Sequence, residues 1–283
     1  MSSEPFGGRL AAAMGERGQL CAGIDPHPGL LASWGLADDV DGLRAFSLTA
    51  LEGFAPVVAA VKPQVALFER HGSAGIAALE ELLAAARAAD VLTIADAKRG
   101  DIGSTMAAYA DAWLRDGSPL AADAVTLSPY LGFESLRPAL ELAESTGRGV
   151  FVLGLTSNPE GASVQHVGGD RSVAKGIVDA VRAENAAAAD RGRAEGALGH
   201  TGLVVGATVG EALGLLGLDL GTTGAPILAP GFGAQGATAE DLRSLFGSAW
   251  PQVLATSSRG LLVAGPDASV LRAAAERARD GLA

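Results

Sequence analysis

The sequence predicts an α/β protein built as a closed (β/α)8 TIM barrel with an extra helix at its N-terminus. Three observations predict it. Eight short apolar runs recur along the 283 residues, and each is followed by a stretch with helical spacing. The runs are continuously apolar rather than alternating, which is what parallel strands covered on both faces require. No glycine-rich turn follows the first run, which disfavours the open doubly wound sheet that is the structural alternative.

Each element has its own justification. Phe6, Leu10 and Met14 are four apart, the spacing of a short amphipathic helix that packs against the closed end of the fold. Gln19 to Ile24 is the first strand, stopped by Asp25-Pro26-His27-Pro28. Asp38-Asp39 caps a helix running to about Gly53. Val57 to Val61 is the second strand, closed by Lys62-Pro63-Gln64, and Ser73 to Ala89 is an alanine- and leucine-rich helix. The third strand covers 91–95. A charged turn follows it, then a helix from Met106 to Leu114. Ala122 to Leu127 is the fourth strand, before a helix over Phe133 to Ser145. Gly149 to Leu155 is the fifth. The loop behind it, to about Arg171, carries Gly161, Gly168 and Gly169 and is expected to be mobile. A long helix runs from Ser172 to Ala194, and Leu203 to Gly206 is the sixth strand, with a short helix over Val209 to Leu216. Pro226 to Ala229 and Gln252 to Ala255 are the seventh and eighth strands, followed by helices capped by Thr238 and Asp267. No linker or repeat divides the chain, so residues 1–283 are expected to form one domain.

Composition narrows the function. A net charge of −11 without any Lys/Arg cluster argues against a nucleic-acid surface. An anionic substrate would then need individually placed cations. Cys21 is the single cysteine and lies in an apolar run, which excludes a disulfide framework and suits a reducing compartment. No run is long enough to cross a bilayer and no leader is evident, so a cytoplasmic protein is expected.

The chemistry-bearing residues fall at the predicted strand ends, which open on one face in such a barrel. They are Asp25, Lys62, Asp96, Lys98, Asp101, Ser157, Gln235 and Arg259. Asp96 and Lys98 are two apart in an extended segment, so their side chains start on one face. With Lys62 and Asp101 they are expected to form an alternating charge network that keeps Lys98 protonated. Such a network suits a reaction in which carbanion character develops and a proton is then delivered. Beyond the seventh strand, Pro230-Gly231-Phe232-Gly233-Ala234-Gln235-Gly236 should leave backbone N–H groups exposed, and Arg259 adds a bidentate donor one strand later. Barrels often bind phosphate there. His27 and His166 are scattered on loops and take no role.

The stretch Asp96-Ala97-Lys98-Arg99-Gly100-Asp101-Ile102-Gly103-Ser104-Thr105 resembles the signature of orotidine 5′-phosphate decarboxylases, in the variant form with Arg-Gly between the lysine and the second aspartate. Asp25, Lys62, Ser157, the Pro230 to Gln235 loop and Arg259 are similar to the family's other site positions, in the same order. The resemblance implies cofactor-free and metal-free decarboxylation of orotidine 5′-monophosphate to uridine 5′-monophosphate in pyrimidine synthesis. It implies that Lys98 stabilises charge at C6 and then protonates it, beside Asp96, with Lys62 and Asp101 holding Lys98. Asp25 and Thr105 would hold ribose hydroxyls, Ser157 the pyrimidine, and Pro230, Gln235 and Arg259 the phosphate region. It further implies a homodimer in which Asp101 and Thr105 act in the partner's site. Ala194 to Gly202 and the turn at 221–224 depart from the family pattern as insertions.

Three alternatives compete. A metal-dependent sugar-phosphate lyase such as a hexulose-phosphate synthase shares Asp-x-Lys-x-x-Asp, but Lys62 would repel a divalent cation. A Schiff-base aldolase needs a desolvated lysine rather than one flanked by carboxylates. A non-catalytic phosphosugar-binding barrel would have no use for Lys62, Asp96, Lys98 and Asp101 together.

Overall fold

The computed structural model describes residues 4–190, 197–233 and 237–283. The described residues form eight parallel strands: β1 (Leu20–Ile24), β2 (Ala60–Pro63), β3 (Leu92–Arg99), β4 (Ala124–Leu127), β5 (Gly149–Leu155), β6 (Thr201–Val205), β7 (Ile227–Pro230) and β8 (Val253–Ser257). Neighbours in sequence are neighbours in the sheet, and β8 pairs back onto β1 to close the barrel. The TIM-barrel expectation and its extra N-terminal helix (Phe6–Arg17) are both met.

Two apolar layers hold the barrel. The outer layer lies between strands and helices and includes Leu20 and Ile24 of β1 with Leu43 and Phe46 of the helix Val40–Phe54. The inner layer fills one end of the barrel. Every strand contributes to it: Cys21, Ala60, Ile94, Ala124, Phe151, Val204, Leu228 and Leu254. Phe6, Leu10 and Met14 of the N-terminal helix plug this ring, as their spacing predicted. The Phe6 and Phe151 rings meet edge to face at 5.9 Å. A Cβ on Gly149 would come within 2.2 Å of the Phe6 ring, so only glycine admits the plug at that position.

Several boundaries differ from expectation, each for a tertiary reason. β2 starts later than Val57 and takes in Lys62, because its register with β1 runs from Cys21↔Ala60 to Ile24↔Pro63. β3 does not stop at Ala95. It continues through the charged residues to Arg99, past an irregularity between Ala95 and Arg99 that shifts its pairing with β4. Two helices, Pro28–Ser33 and Ala66–Glu69, are too short for periodicity to reveal. The loop behind β5 contains helical turns at Pro159–Gly161, Ala162–Gln165 and Gly169–Arg171, and the Gln165 side chain ties it to Thr156 through two hydrogen bonds. The expected helix from Ser172 begins at Val173 and is described to Asp190. Its expected end at Ala194 lies outside the described residues. The caps at Asp39, Thr238 and Asp267 form as the side chains predict.

Candidate active site

The carboxyl ends of the strands surround an open cavity of about 480 Å3, lined by residues from all eight strands or the loops behind them. At its centre is Asp96 on β3, only 7% exposed. Its Oδ2 accepts hydrogen bonds from Lys62 Nζ (2.8 Å) and Gln64 Nε2 (3.0 Å). Its Oδ1 accepts from Lys98 Nζ (2.5 Å) and Thr126 Oγ1 (3.0 Å). A buried carboxylate is costly unless paired and hydrogen-bonded, and here four donors from β2, its following loop, β3 and β4 meet that need. Burial by itself would raise the Asp96 pKa, but Lys62 and Lys98 hold it far below the usual carboxylate range. Burial would likewise lower the pKa of Lys62, which is 4% exposed, yet the Asp96 and Asp25 carboxylates push it above that of an ordinary lysine. Both groups are therefore ionised at neutral pH.

Lys98 differs from Lys62 in access. Its side chain is 47% exposed while its ammonium stays on Asp96. Its backbone takes φ = +48°, a left-handed conformation uncommon for a residue with a side chain. Asp25, at the end of β1, is half-buried and lines the cavity, and its Oδ1 is buried without a hydrogen-bond partner. On this side of the cavity the charges brought together are Asp25, Lys62, Asp96 and Lys98.

Asp101 was expected among them, but within one subunit it is not. Neither Asp101 nor Thr105 lines the cavity. The β3 strand runs on to Arg99 and carries Asp101 past the strand end, where its carboxylate accepts the Ile102 N–H at 2.8 Å. Thr105 is exposed in the first turn of the helix Gly103–Leu114. The Lys98 ammonium hydrogen-bonds Asp96, and neither Lys62 nor Asp101 contacts it by hydrogen bond within the subunit.

The opposite side of the cavity is built from Pro230, Gly231, Phe232, Ser258 and Arg259. Arg259 is exposed, and its side chain makes no hydrogen bond or ion pair with any described residue. A Cβ on Gly23 would lie 1.8 Å from Ser258 Oγ, so a glycine in β1 lets the β8 loop come close. Gly231 and Gly233 have φ of +117° and +79°, which glycine tolerates. Contrary to expectation, the Gly233 N–H is not available, because it donates to the Ala237 carbonyl. Gln235 lies outside the described residues. Ser157 lines the cavity beside Thr156 and Asn158. His27 stands exposed at the rim, and no group of three His, Cys, Asp or Glu suited to a metal occurs among the described residues.

Residues 18–274 match the family model described as the orotidine 5′-phosphate decarboxylase / HUMPS family. The chain belongs to this family. It is 55% identical over 276 residues to the orotidine 5′-phosphate decarboxylases of Salinispora arenicola and Streptomyces coelicolor, covering 97% of this chain and 95% of each relative. A solved structure from Streptomyces avermitilis, described as a candidate orotidine 5′-phosphate decarboxylase, superposes with a TM-score of 0.93 at 55% identity. The match spans 100% of this chain and 96% of that one. Leishmania donovani OMP decarboxylase is similar at a TM-score of 0.77 and 30% identity, spanning 98% and 97%.

Among the cavity residues of this decarboxylase-family chain that escaped the sequence reading are Gln64, Thr126 and Thr256. Two left a signal. Gln64 follows Lys62 by two, which places both on one face of an extended segment. Thr126 is a hydroxyl inside the apolar run Ala124 to Leu127, and a buried hydroxyl needs a partner.

Proposed function

We propose that this chain decarboxylates orotidine 5′-monophosphate to uridine 5′-monophosphate and CO2, in de novo pyrimidine synthesis and without a cofactor. The observation that carries the reading is the Asp96 carboxylate gripped by Lys62 and Lys98 on one side of a cavity whose other side presents the Arg259 side chain, unpaired among the described residues. The substrate phosphate would sit at Arg259 and the Pro230 to Gln235 loop, with Ser157 at the pyrimidine and Asp25 at the ribose. The buried, unpartnered Asp25 Oδ1 is an acceptor suited to a ribose hydroxyl.

The C6 carboxylate is then directed towards Asp96 and Lys98. The bond from C6 to the carboxylate breaks, CO2 leaves, and the electron pair stays at C6. The Lys98 ammonium stabilises that charge and transfers its proton to C6, and solvent returns a proton to Lys98. Asp96 carries the same sign as the departing carboxylate, and its four donors hold it ionised. The chain acts as one cytoplasmic barrel domain and as a homodimer, with Asp101 and Thr105 completing the partner's site. That arrangement is supported by the absence of both residues from their own cavity. It is supported also by the exposed apolar side chains of Ile102 (61%), Tyr130 (79%) and Leu131 (55%) nearby in sequence or on the adjacent strand's loop.

A spectrophotometric assay with orotidine 5′-monophosphate in excess EDTA tests the reading. Wild type should consume the substrate, and Lys98→Ala should lose about 10⁴-fold in kcat, as expected for a group that both stabilises charge and delivers a proton. Activity abolished by EDTA would move the metal-dependent sugar-phosphate lyase to the front. Mixing inactive Lys98→Ala and Asp101→Ala subunits tests the dimer, because mixed dimers regain one intact site only if Asp101 acts in trans.

A further inference from the structure

Lys98 holds an uncommon backbone conformation at the point where its side chain must be placed, and one hydroxyl is bound to both parts of that problem. Thr126 Oγ1 accepts the Lys98 backbone N–H at 2.9 Å and donates to Asp96 Oδ1 at 3.0 Å. The polarity is unambiguous. The amide can only donate and the ionised carboxylate can only accept, so the single hydroxyl proton lies on Asp96. The threonine is 1% exposed and stands in β4, beside the irregular part of β3 where regular pairing is lost between Ala95 and Arg99. Its hydroxyl takes the place of a backbone acceptor for Lys98. Downstream, the chain is anchored independently. Arg99 accepts the Ser128 N–H at 2.7 Å, and its guanidinium pairs with Glu69 over the rings of Tyr109 and Trp113.

We propose that Thr126 is a positioning residue of the decarboxylase, its one hydroxyl setting the left-handed turn at Lys98 and the orientation of the Asp96 carboxylate together. This rests on the reaction proposed above, in which Lys98 and Asp96 act on C6. Without the hydroxyl the Lys98 N–H and Asp96 Oδ1 each lose a buried partner, and the left-handed turn loses the contact that compensates its strain. The proton donor then samples positions away from the reacting carbon. The phosphate side of the cavity is untouched.

Thr126→Val keeps the shape and removes the hydroxyl, while Thr126→Ser keeps the hydroxyl and removes the methyl. Thr126→Val should lower kcat about 10- to 100-fold with KM changed less than about threefold, because a displaced donor affects the chemical step more than binding. Thr126→Ser should restore kcat to within about threefold of wild type. Crystal structures of both variants give a readout independent of turnover. In the valine variant Lys98 should leave positive φ or the Asp96 carboxylate should rotate, and in the serine variant both should stay. If valine does not fold, Thr126→Ala carries the same expectation. Wild-type kcat in Thr126→Val, equal losses in the valine and serine variants, or an unmoved Lys98 and Asp96 in Thr126→Val would overturn the proposal. A wild type inactive on orotidine 5′-monophosphate would instead sink the proposed reaction, and the crystal structures would still decide whether Thr126 sets the geometry.

Discussion

The two ends of the barrel interior are made by the same eight strands and behave oppositely. On β3, Ile94 belongs to the apolar plug and Asp96, two residues further on, holds a buried charge. Side chains two apart on a strand are separated by only about 6–7 Å. Leu153, Val204 and Leu228 belong to both regions, packing on or in the inner core and lining the cavity. The plug end is satisfied by volume: rings and aliphatic groups fill it around Phe6. At the open end the buried Asp96 charge is satisfied by pairing, with each carboxylate oxygen taking two donors. One end therefore secures stability and the other chemistry, and the boundary between them is a single side-chain layer.

That division can be broken or sharpened experimentally. The largest effect should come from Asp96→Ala, which leaves Lys62 buried with Asp25 as its remaining carboxylate. We expect kcat to fall at least about 10³-fold and the fold to lose about 3–5 kcal/mol, since removing one partner of a buried pair strands the other. Kinetics and urea melts on the same preparation would measure both. Phe6→Ala should cost about 3–5 kcal/mol in those melts by opening a cavity beside Phe151, while kcat stays within about twofold. A large loss of kcat there would mean that the plug also shapes the site.

Arg259→Ala should do the reverse on a smaller scale. Loss of hydrogen bonds to a charged ligand is worth about 1.5–3 kcal/mol, so kcat/KM should fall about 10- to 100-fold with the melting temperature unchanged. The smallest effect is a flat line. Because the Asp96 pKa is lowered in the fold, its stabilisation is complete above the unfolded value of 3.8 and is lost only as pH falls through the folded value. Because the Lys62 pKa is raised, its stabilisation is complete below 10.5 and is lost only as pH rises through the folded value. The stability difference between wild type and the double variant Lys62→Met/Asp96→Ala, which leaves neither group of the pair to titrate, should therefore be constant from about pH 5 to about pH 9. A slope inside that window would show that the pair is not ionised as described.

Much of this was legible in the chain itself. Parallel strands covered on both faces read as unbroken apolar runs, so all eight were visible, as was the plug helix from Phe6, Leu10 and Met14. Lys62 stood out because a lysine at the end of an apolar run has to find an anion, and it does so on Asp96. The extension of β3 to Arg99 was not legible, because pairing with β4 rather than local preference decides it. Asp101 follows the same rule: sequence proximity to Lys98 grouped it with the other charges, and the strand's continuation carries it past its own chain's cavity.

The sequence by itself determined the barrel, the family signature and the identities of the charged residues, because hydrophobic period and residue chemistry are local properties. Which charges share a cavity was decided by tertiary structure. Asp96 is compensated from three strands and Lys98 is turned by a threonine twenty-eight residues away. Burial, register and hydrogen-bond partners are properties of neighbours, and only the closed barrel makes those residues neighbours.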